Sequence, residues 1–167
     1  MIAFLDIETS GLNKQKHALC EIGLVITDND LNIVHKWQTY IKPYGMEYTD
    51  KAMAVNAITM EQLEGGVGLR FALMNLSSSL SIFGVETIIC HNTLFDMGWI
   101  DYLNVIHLNH RIIGMGYICT LQLSRKHFKA PHDLDNLCNR FGIEKNGHNA
   151  LGDAIACLEL YKRIINK

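Results

Sequence analysis

The order of the apolar segments limits the possible fold of this chain most strongly. Three strand-like runs open the chain, at 1–8, 18–27 and 33–41. Asp28-Asn29-Asp30 is a turn signal between the second and third runs, which predicts an antiparallel hairpin. Two shorter apolar runs at 85–90 and 117–119 then alternate with segments of helical periodicity. This order predicts an α/β fold with a mixed five-stranded sheet and helices on both faces.

Helical periodicity marks the remaining segments. We predict helices at 52–63, 69–83, 94–103, 124–129, 134–141 and 150–165. Gly142 is the expected C-cap of the fifth helix, and Ala154, Cys157 and Leu158 share one face of the last. In mixed sheets of this kind, sites lie beyond the carboxyl ends of the parallel strands. Acidic residues at strand ends are therefore the first candidates for function.

The composition excludes several classes of protein. With 49% hydrophobic residues among 167, the chain is too apolar for intrinsic disorder and long enough to bury a core of its own. Its net charge of −2 excludes a polycation that binds nucleic acid by charge alone. No apolar run has the length of a membrane span, and the opening MIAFLDIETSG does not fit a signal peptide. Together with five scattered cysteines, these features predict a soluble cytoplasmic protein with no membrane partner.

Two carboxylates in the first strand are the first anomaly. Because a strand alternates faces, Asp6 and Glu8 project from the same face as Ile2 and Phe4. Burying an unpaired carboxylate costs several kcal/mol, so a positive charge is expected between the two acids. The alternative is that the strand simply ends there and Glu8 begins a solvated turn.

Two further segments carry candidate residues at helix starts. Asp96 falls in the first turn of the helix that follows the fourth strand, where the helix dipole alone would explain an acid. Asn92 just before that helix would serve as an ordinary N-cap. His148 precedes the last helix and Asp153 borders its inward face, although a single loop histidine is usually only solvated.

These residues form a coherent set when they are taken together. Four acids and a histidine come from three separate segments, each at the end of a strand or helix. Mg²⁺ and Mn²⁺ prefer carboxylate oxygen, and a histidine titrates near neutral pH. This inventory predicts two divalent metal ions and metal-assisted hydrolysis of a phosphodiester.

Three motifs in order resemble a known family. FLDIETSGL at 4–12, HNTLFDMGWIDYL at 91–103 and HNALGDA at 148–154 are similar to the three exonuclease motifs of the DEDDh superfamily of 3'–5' exonucleases. Within it, the likeness is closest to the epsilon proofreading subunits of bacterial replicative DNA polymerases, and CEIG at 20–23 and IKP at 41–43 support it. The resemblance covers nearly the whole chain.

The resemblance implies a role for each motif residue. Asp6 would bridge two metal ions, Glu8 and Asp153 would hold the ion that activates water, and Asp96 would support the second ion. His148 would be the general base that deprotonates the attacking water. The implied reaction is the release of nucleoside 5'-monophosphates from a 3' end.

The resemblance also implies a fold and a substrate contact. The implied fold is ribonuclease H-like, with 1–167 as a single exonuclease domain. Thr9 and Asn92 are the candidate substrate-binding residues; the alternatives are a turn residue for Thr9 and a cap for Asn92. The implied partner is nucleic acid with a free 3' end, with single-stranded or frayed DNA favoured over RNA.

A basic segment follows the fifth strand. Its members are Arg125, Lys126, His127, Lys129 and His132. With the four site acids set aside, Lys and Arg outnumber the remaining acids by two, so this segment could steer a nucleic-acid backbone. A solvated helix face is the alternative.

Some features depart from the family pattern. The chain ends at Lys167 without the C-terminal tail of epsilon subunits, which leaves a polymerase partner open. Cys119 stands where an aspartate is common, and the loop at 65–68 lacks a proline; we expect both to affect packing only. Two other functions remain as alternatives: an RNA-trimming exonuclease on the same scaffold, and a binding module that no longer cleaves.

Overall fold

One mixed sheet forms the centre of the computed structural model, which describes residues 1–112, 114–145 and 149–167. Its strands are β1 Ile2–Thr9, β2 Leu19–Thr27, β3 Ile33–Tyr40, β4 Thr87–Cys90 and β5 Gly116–Cys119. They lie in the order β3-β2-β1-β4-β5. The β1–β2 and β2–β3 pairs are antiparallel, whereas β1–β4 and β4–β5 are parallel. The predicted α/β class, strand number and mixed pairing are confirmed.

Helices cover both faces of this sheet. They are α1 Asp50–Asn56, α2 Met60–Glu64, α3 Leu69–Ile82, α4 Thr93–Leu108, α5 Thr120–His127, α6 Leu134–Phe141 and α7 Ala150–Ile165. The apolar sides of α3 and α4 pack on one face of the sheet and α7 on the other, with α5 and α6 packed against α7. Within the described ranges, no helix has the length and hydropathy needed to cross a lipid bilayer.

The predicted alternation of β1 is confirmed by its packing. Ala3, Leu5 and Ile7 are buried against α3 and α4, whereas Phe4 is buried against α7. Asp6 and Glu8 continue the α7 side of the strand, because successive residues alternate faces. The strand therefore delivers both carboxylates to the side of the sheet that α7 covers.

The helix α7 is buried on two sides, which its sequence indicates only in part. The predicted face packs on the sheet through Ala154, Cys157 and Leu158. A second face packs on α6 through Ala156 and Leu160. This double burial holds α7 firmly over the end of β1.

Three predicted helices differ in their bounds from the structure. The helix expected at 124–129 instead begins at Thr120 and ends at His127, because Phe128 adopts an extended conformation. The helix expected at 52–63 is divided, because Ala57 adopts a left-handed conformation and ends α1, and Thr59 starts α2 with a capping box to Gln62. The helix expected to end at 103 continues to Leu108, where Asn109 caps it in a left-handed conformation. The predicted Gly142 cap is confirmed, with φ of 63°.

Candidate active site

Three carboxylates converge at the carboxyl end of β1. Asp6 and Glu8 come from the strand, and Asp153 comes from the first turn of α7. One carboxylate oxygen of each lies within 4.8 Å of the others. Asp6 and Glu8 keep partly accessible surfaces, so a ligand can reach them. Three oxygens at this spacing can share one divalent cation.

The register between β1 and β2 explains how α7 reaches these acids. Gly23 lies opposite Asp6, and a Cβ atom at Gly23 would come within 2.2 Å of the main chain of Ala150 and Leu151. The first turn of α7 therefore rests directly on bare backbone. Asn149 caps that turn by accepting a hydrogen bond from the Gly152 N–H at 2.8 Å. This close contact between α7 and β2 places Asp153 beside Asp6.

The fourth acid lies just beyond the end of the neighbouring strand, β4. Asp96 lies in the first turn of α4, directly after β4, and is 2% exposed. Burial raises the pKa of Asp96 well above its ordinary value, and the backbone N–H groups of Asp96 and Ile7 oppose that rise. Its charge in turn raises the pKa of Asp6. Asp96 therefore belongs to the same electrostatic cluster as the acids of β1.

Burial and mutual repulsion raise the pKa values of the acids in the cluster. Burial raises the pKa of Asp6 well above its ordinary value, and Asp96, Asp153 and Glu8 raise it further. Burial, then Asp153 and Glu21, raise the pKa of Glu8 to about 7. Both acids thus resist ionisation while no divalent cation compensates them. A divalent cation would favour the ionised forms, which is the arrangement expected of a metal site.

Glu21 is a buried acid at the site to which the sequence analysis assigned no role. It lies directly opposite Glu8 in the β1–β2 pair and is fully buried. One oxygen accepts a hydrogen bond from the Ala150 N–H at 3.1 Å, and the other accepts one from Gln38. Glu21 thus fastens the amino end of α7 to β2. The available signal was an acid inside the otherwise apolar run LCEIGLVIT.

Lys145 places a positive charge beside the cluster, and it too was missed by sequence reasoning. Its Nζ lies 3.1 Å from Oδ1 of Asp153, and both side chains are 11% exposed. It also forms an ion pair with Asp135 in the first turn of α6. Burial alone would lower the pKa of Lys145, but the hydrogen bonds and charges of Asp135 and Asp153 leave it above its ordinary value. A positive charge is therefore present within the chain beside Asp153, whereas the sequence predicted one between Asp6 and Glu8.

A cavity opens beside the cluster. It has a volume of about 530 Å³, and its lining includes Glu8 and Thr9 together with the apolar side chains of Leu12, Val55 and Phe95. This volume is in the range that holds a small organic ligand. The cavity thus places a largely apolar compartment next to the acids.

The remaining predicted residues have different outcomes. The Thr9 hydroxyl donates to the Gly11 carbonyl at 2.8 Å, as a turn residue would, while Thr9 also lines the cavity. Asn92 occupies the N-cap position of α4, but its side chain makes no capping hydrogen bond, so the capping alternative is wrong. His148 lies outside the described residues, and its role stays a prediction.

The residues of the basic segment differ in their exposure to solvent. Arg125, Lys126 and Lys129 are exposed, as both a steering surface and a solvated helix face require. His132 instead packs inward, with its carbonyl 3.0 Å from Nε2 of His91 and its Nδ1 3.4 Å from the Ser124 hydroxyl. The segment therefore exposes Arg125, Lys126, His127 and Lys129 to solvent, whereas His132 is only partly exposed.

We expect Gly23→Ala to reduce any activity of this site by about 100-fold, because displacing a catalytic group by about 1 Å can cost that much. The added methyl group would force the first turn of α7, and with it Asp153, away from the sheet. Turnover and melting temperature would be measured together. Gly68→Ala is the matched control, since Gly68 has open space and a negative φ. Unchanged turnover in Gly23→Ala would contradict this account of how α7 is seated.

Comparison with known sequences places the chain in a family. The family model RNase_T, described as Exonuclease, matches residues 3–161. DNA polymerase III subunit epsilon of Haemophilus influenzae is 31% identical over 168 residues, covering 94% of this chain and 64% of that protein. The epsilon subunit of Pasteurella multocida is 32% identical, covering 94% of this chain and 65% of that protein. The chain thus spans just under two thirds of the length of these relatives.

Solved structures agree on the fold. A zinc-bound complex of Escherichia coli exonuclease I with single-stranded DNA superposes with a TM-score of 0.85 at 17% identity, covering 99% of this chain and 40% of that one. A 3'-exonuclease that recognises the 3' end of a histone mRNA stem-loop superposes with a TM-score of 0.77 at 16% identity, covering 99% of this chain and 81% of that one. The sheet order and these superpositions confirm the ribonuclease H-like fold. With a family match over nearly its whole length, this chain belongs to the RNase_T exonuclease family.

Proposed function

We propose that this chain is a divalent-metal-dependent 3'–5' exonuclease that acts on DNA, with 1–167 as one exonuclease domain. The observation that carries the proposal is the convergence of Asp6, Glu8 and Asp153 within 4.8 Å in a member of an exonuclease family. A module that only binds nucleic acid has no need of buried acids whose repulsion must be compensated. The arrangement therefore favours an enzyme over a binding module.

The donor set fits Mg²⁺ or Mn²⁺. All three converging ligands are carboxylate oxygens, which these hard cations prefer, and no thiol or imidazole belongs to the described cluster. Asp6, Glu8 and Asp153 would hold one ion. Asp96, whose negative charge raises the pKa of Asp6, would support a second ion. Bound there, the ions would activate water and stabilise negative charge at the leaving 3' oxygen.

The chain's own side chains would do the remaining work. His148 would accept the proton of the attacking water, since an imidazole is suited to proton transfer near neutral pH. The cavity beside Glu8 would receive the terminal nucleoside, with Leu12, Val55 and Phe95 against its apolar surface and Thr9 at its edge. Asn92, at the exposed start of α4, would contact the substrate.

The choice of DNA rests on the relatives. The epsilon proteins are named as subunits of a DNA polymerase, and the exonuclease I structure contains single-stranded DNA. The same fold also occurs in a 3'-exonuclease that recognises an mRNA end. The experiment that tests the proposal therefore compares RNA with DNA as the substrate.

The test is nucleotide release from single-stranded DNA and RNA of one sequence, each labelled at the 5' end. We expect a ladder of DNA shortened from the 3' end in Mg²⁺ or Mn²⁺, no ladder in EDTA, and release of nucleoside 5'-monophosphates. A much faster ladder on RNA would reassign the substrate while preserving the chemistry. Folded protein that releases no nucleotide from either strand with metal present would overturn the enzyme assignment.

A further inference from the structure

The ion pair between Lys145 and Asp153 has a consequence for metal binding. Lys145 Nζ lies 3.1 Å from an oxygen of Asp153, one of the three acids that can share a cation. Both side chains are almost completely buried, so solvent screens this contact only weakly. An ammonium group thus sits at the edge of the space where a divalent cation would bind.

The influence of Lys145 extends beyond Asp153. Its charge also lowers the pKa of Asp6 and of Glu8, against the larger upward effect of burial. One ammonium group therefore acts on each of the three converging acids, Asp6, Glu8 and Asp153, which we call the trio. In the metal-free chain it supplies the compensation that clustered carboxylates require.

Asp135 offers the same ammonium group a second position. It lies in the first turn of α6, its side chain is 49% exposed, and it forms an ion pair with Lys145 at the same time as Asp153 does. The lysine stem is long and has four rotatable bonds, so its head can shift between two nearby carboxylates. Asp135 can thus retain its ion pair with Lys145 when Asp153 binds a metal ion instead.

We propose that Lys145 is a built-in competitor for the metal site: its ammonium group bridges Asp153 and Asp135 when no divalent cation is bound and keeps only the pair with Asp135 when one binds. The proposal rests on the proposed function, since it needs a metal at the trio. A divalent cation and an ammonium group cannot both hold the same Asp153 oxygen at close range without strong repulsion. Lys145 would therefore set the metal concentration at which the enzyme becomes active and keep the acids compensated below it.

Three variants test the competition. In Lys145→Met, which keeps most of the length and loses the charge, we expect the first Mn²⁺ to bind about tenfold more tightly. In Asp135→Asn, the ammonium group of Lys145 has no second carboxylate to pair with when a metal ion binds Asp153. We therefore expect Mn²⁺ to bind several-fold more weakly. The double variant should behave like Lys145→Met, because the contact that links Asp135 to the acids, among the described residues, is its ion pair with Lys145. Lys126→Met, at an exposed position of α5, is the matched control and should not change Mn²⁺ binding.

The measurement is a titration of free Mn²⁺ by electron paramagnetic resonance, with melting temperature in EDTA as a second readout. We expect metal-free Lys145→Met to melt below the wild type, because the trio has lost its internal cation, and Mn²⁺ to raise its melting temperature more. Equal or weaker Mn²⁺ binding in Lys145→Met would overturn the proposal. If that variant does not fold, a wild-type affinity in Asp135→Asn would overturn it instead.

Failure of the proposed function gives a different pattern. If neither the wild type nor any variant binds Mn²⁺, and no nucleotide is released, the metal-dependent enzyme is excluded together with the competition. If the wild type binds Mn²⁺ and Lys145→Met does not differ, only the competition is excluded. Binding by Lys145→Met at Mn²⁺ concentrations where the wild type remains empty would support both.

Discussion

We expect Asp6→Asn to release nucleotides at least about 1,000-fold more slowly than the wild type. Metal ions contribute several kcal/mol to the stabilisation of such a transition state, and each 1.36 kcal/mol corresponds to a factor of ten in rate. Asp6 is the central member of the cluster, since Asp96, Asp153 and Glu8 all act on its pKa. Its neutral amide would weaken the hold on any ion that the trio shares.

The same substitution should not unfold the protein. Burial and the neighbouring acids raise the pKa of Asp6, so its charge opposes folding when no cation is bound. We therefore expect the melting temperature of Asp6→Asn in EDTA to equal or exceed that of the wild type. This pairing of lost activity with retained stability separates a catalytic role from a structural one.

The matched control for Asp6→Asn is Asp30→Asn. Asp30 is exposed in the turn between β2 and β3, and its replacement also removes one negative charge. We expect its turnover to stay within about twofold of the wild type, as surface substitutions away from special features have small effects. If Asp6→Asn kept more than a tenth of wild-type activity, Asp6 could not hold the catalytic ion.

The second large effect is expected at His148. Loss of a general base typically lowers the rate by about 10²–10⁴-fold, and we expect His148→Ala to fall in that range. In the chain, His148 directly precedes Asn149, the N-cap of α7, and lies in the same motif as Asp153. The turnover number with Mg²⁺ would be measured on single-stranded DNA.

Mn²⁺ affinity distinguishes a base from a structural residue at His148. A general base takes no part in holding the ion, so His148→Ala should bind Mn²⁺ as the wild type does. His110→Ala is the control: His110 is exposed just beyond the carboxyl end of α4, the end opposite Asp96. Loss of Mn²⁺ binding together with activity in His148→Ala would show that the residue supports the site and does not act as the base.

Much of the candidate site could be predicted from local sequence. The alternation of β1 placed Asp6 and Glu8 on one face before any packing was known, and the structure has that face turned toward α7. The sequence placed Asp96 in the first turn of a helix and Asp153 at the border of an inward helix face, and the structure has both acids in first turns. Periods of 2.0 and 3.6 residues are properties of the chain over a few positions, so they are readable without the fold.

The parts that were missed depend on contacts between distant residues. Glu21 accepts a hydrogen bond from Ala150, 129 positions away, and no local pattern records such a partner. Gly23 looks like an ordinary strand glycine until the first turn of α7 is found resting on it. The division of the helix at 52–63 had a local signal, the Thr59–Gln62 capping box, but the continuous apolar spacing obscured it.

By itself, the sequence predicted the fold class, the family and the candidate site residues of this protein. It supplied four acids and a histidine at element ends, an α/β order of strands and helices, and motifs specific enough to identify the family. Only the tertiary structure decided how the acids are compensated and how closely they meet. The 4.8 Å convergence of Asp6, Glu8 and Asp153 depends on the contact of α7 with the bare backbone at Gly23. Their counter-charge within the chain is Lys145, which pairs with both Asp135 and Asp153. Distances and local dielectric act through space between residues far apart in the chain, so these features appear only when the chain is folded.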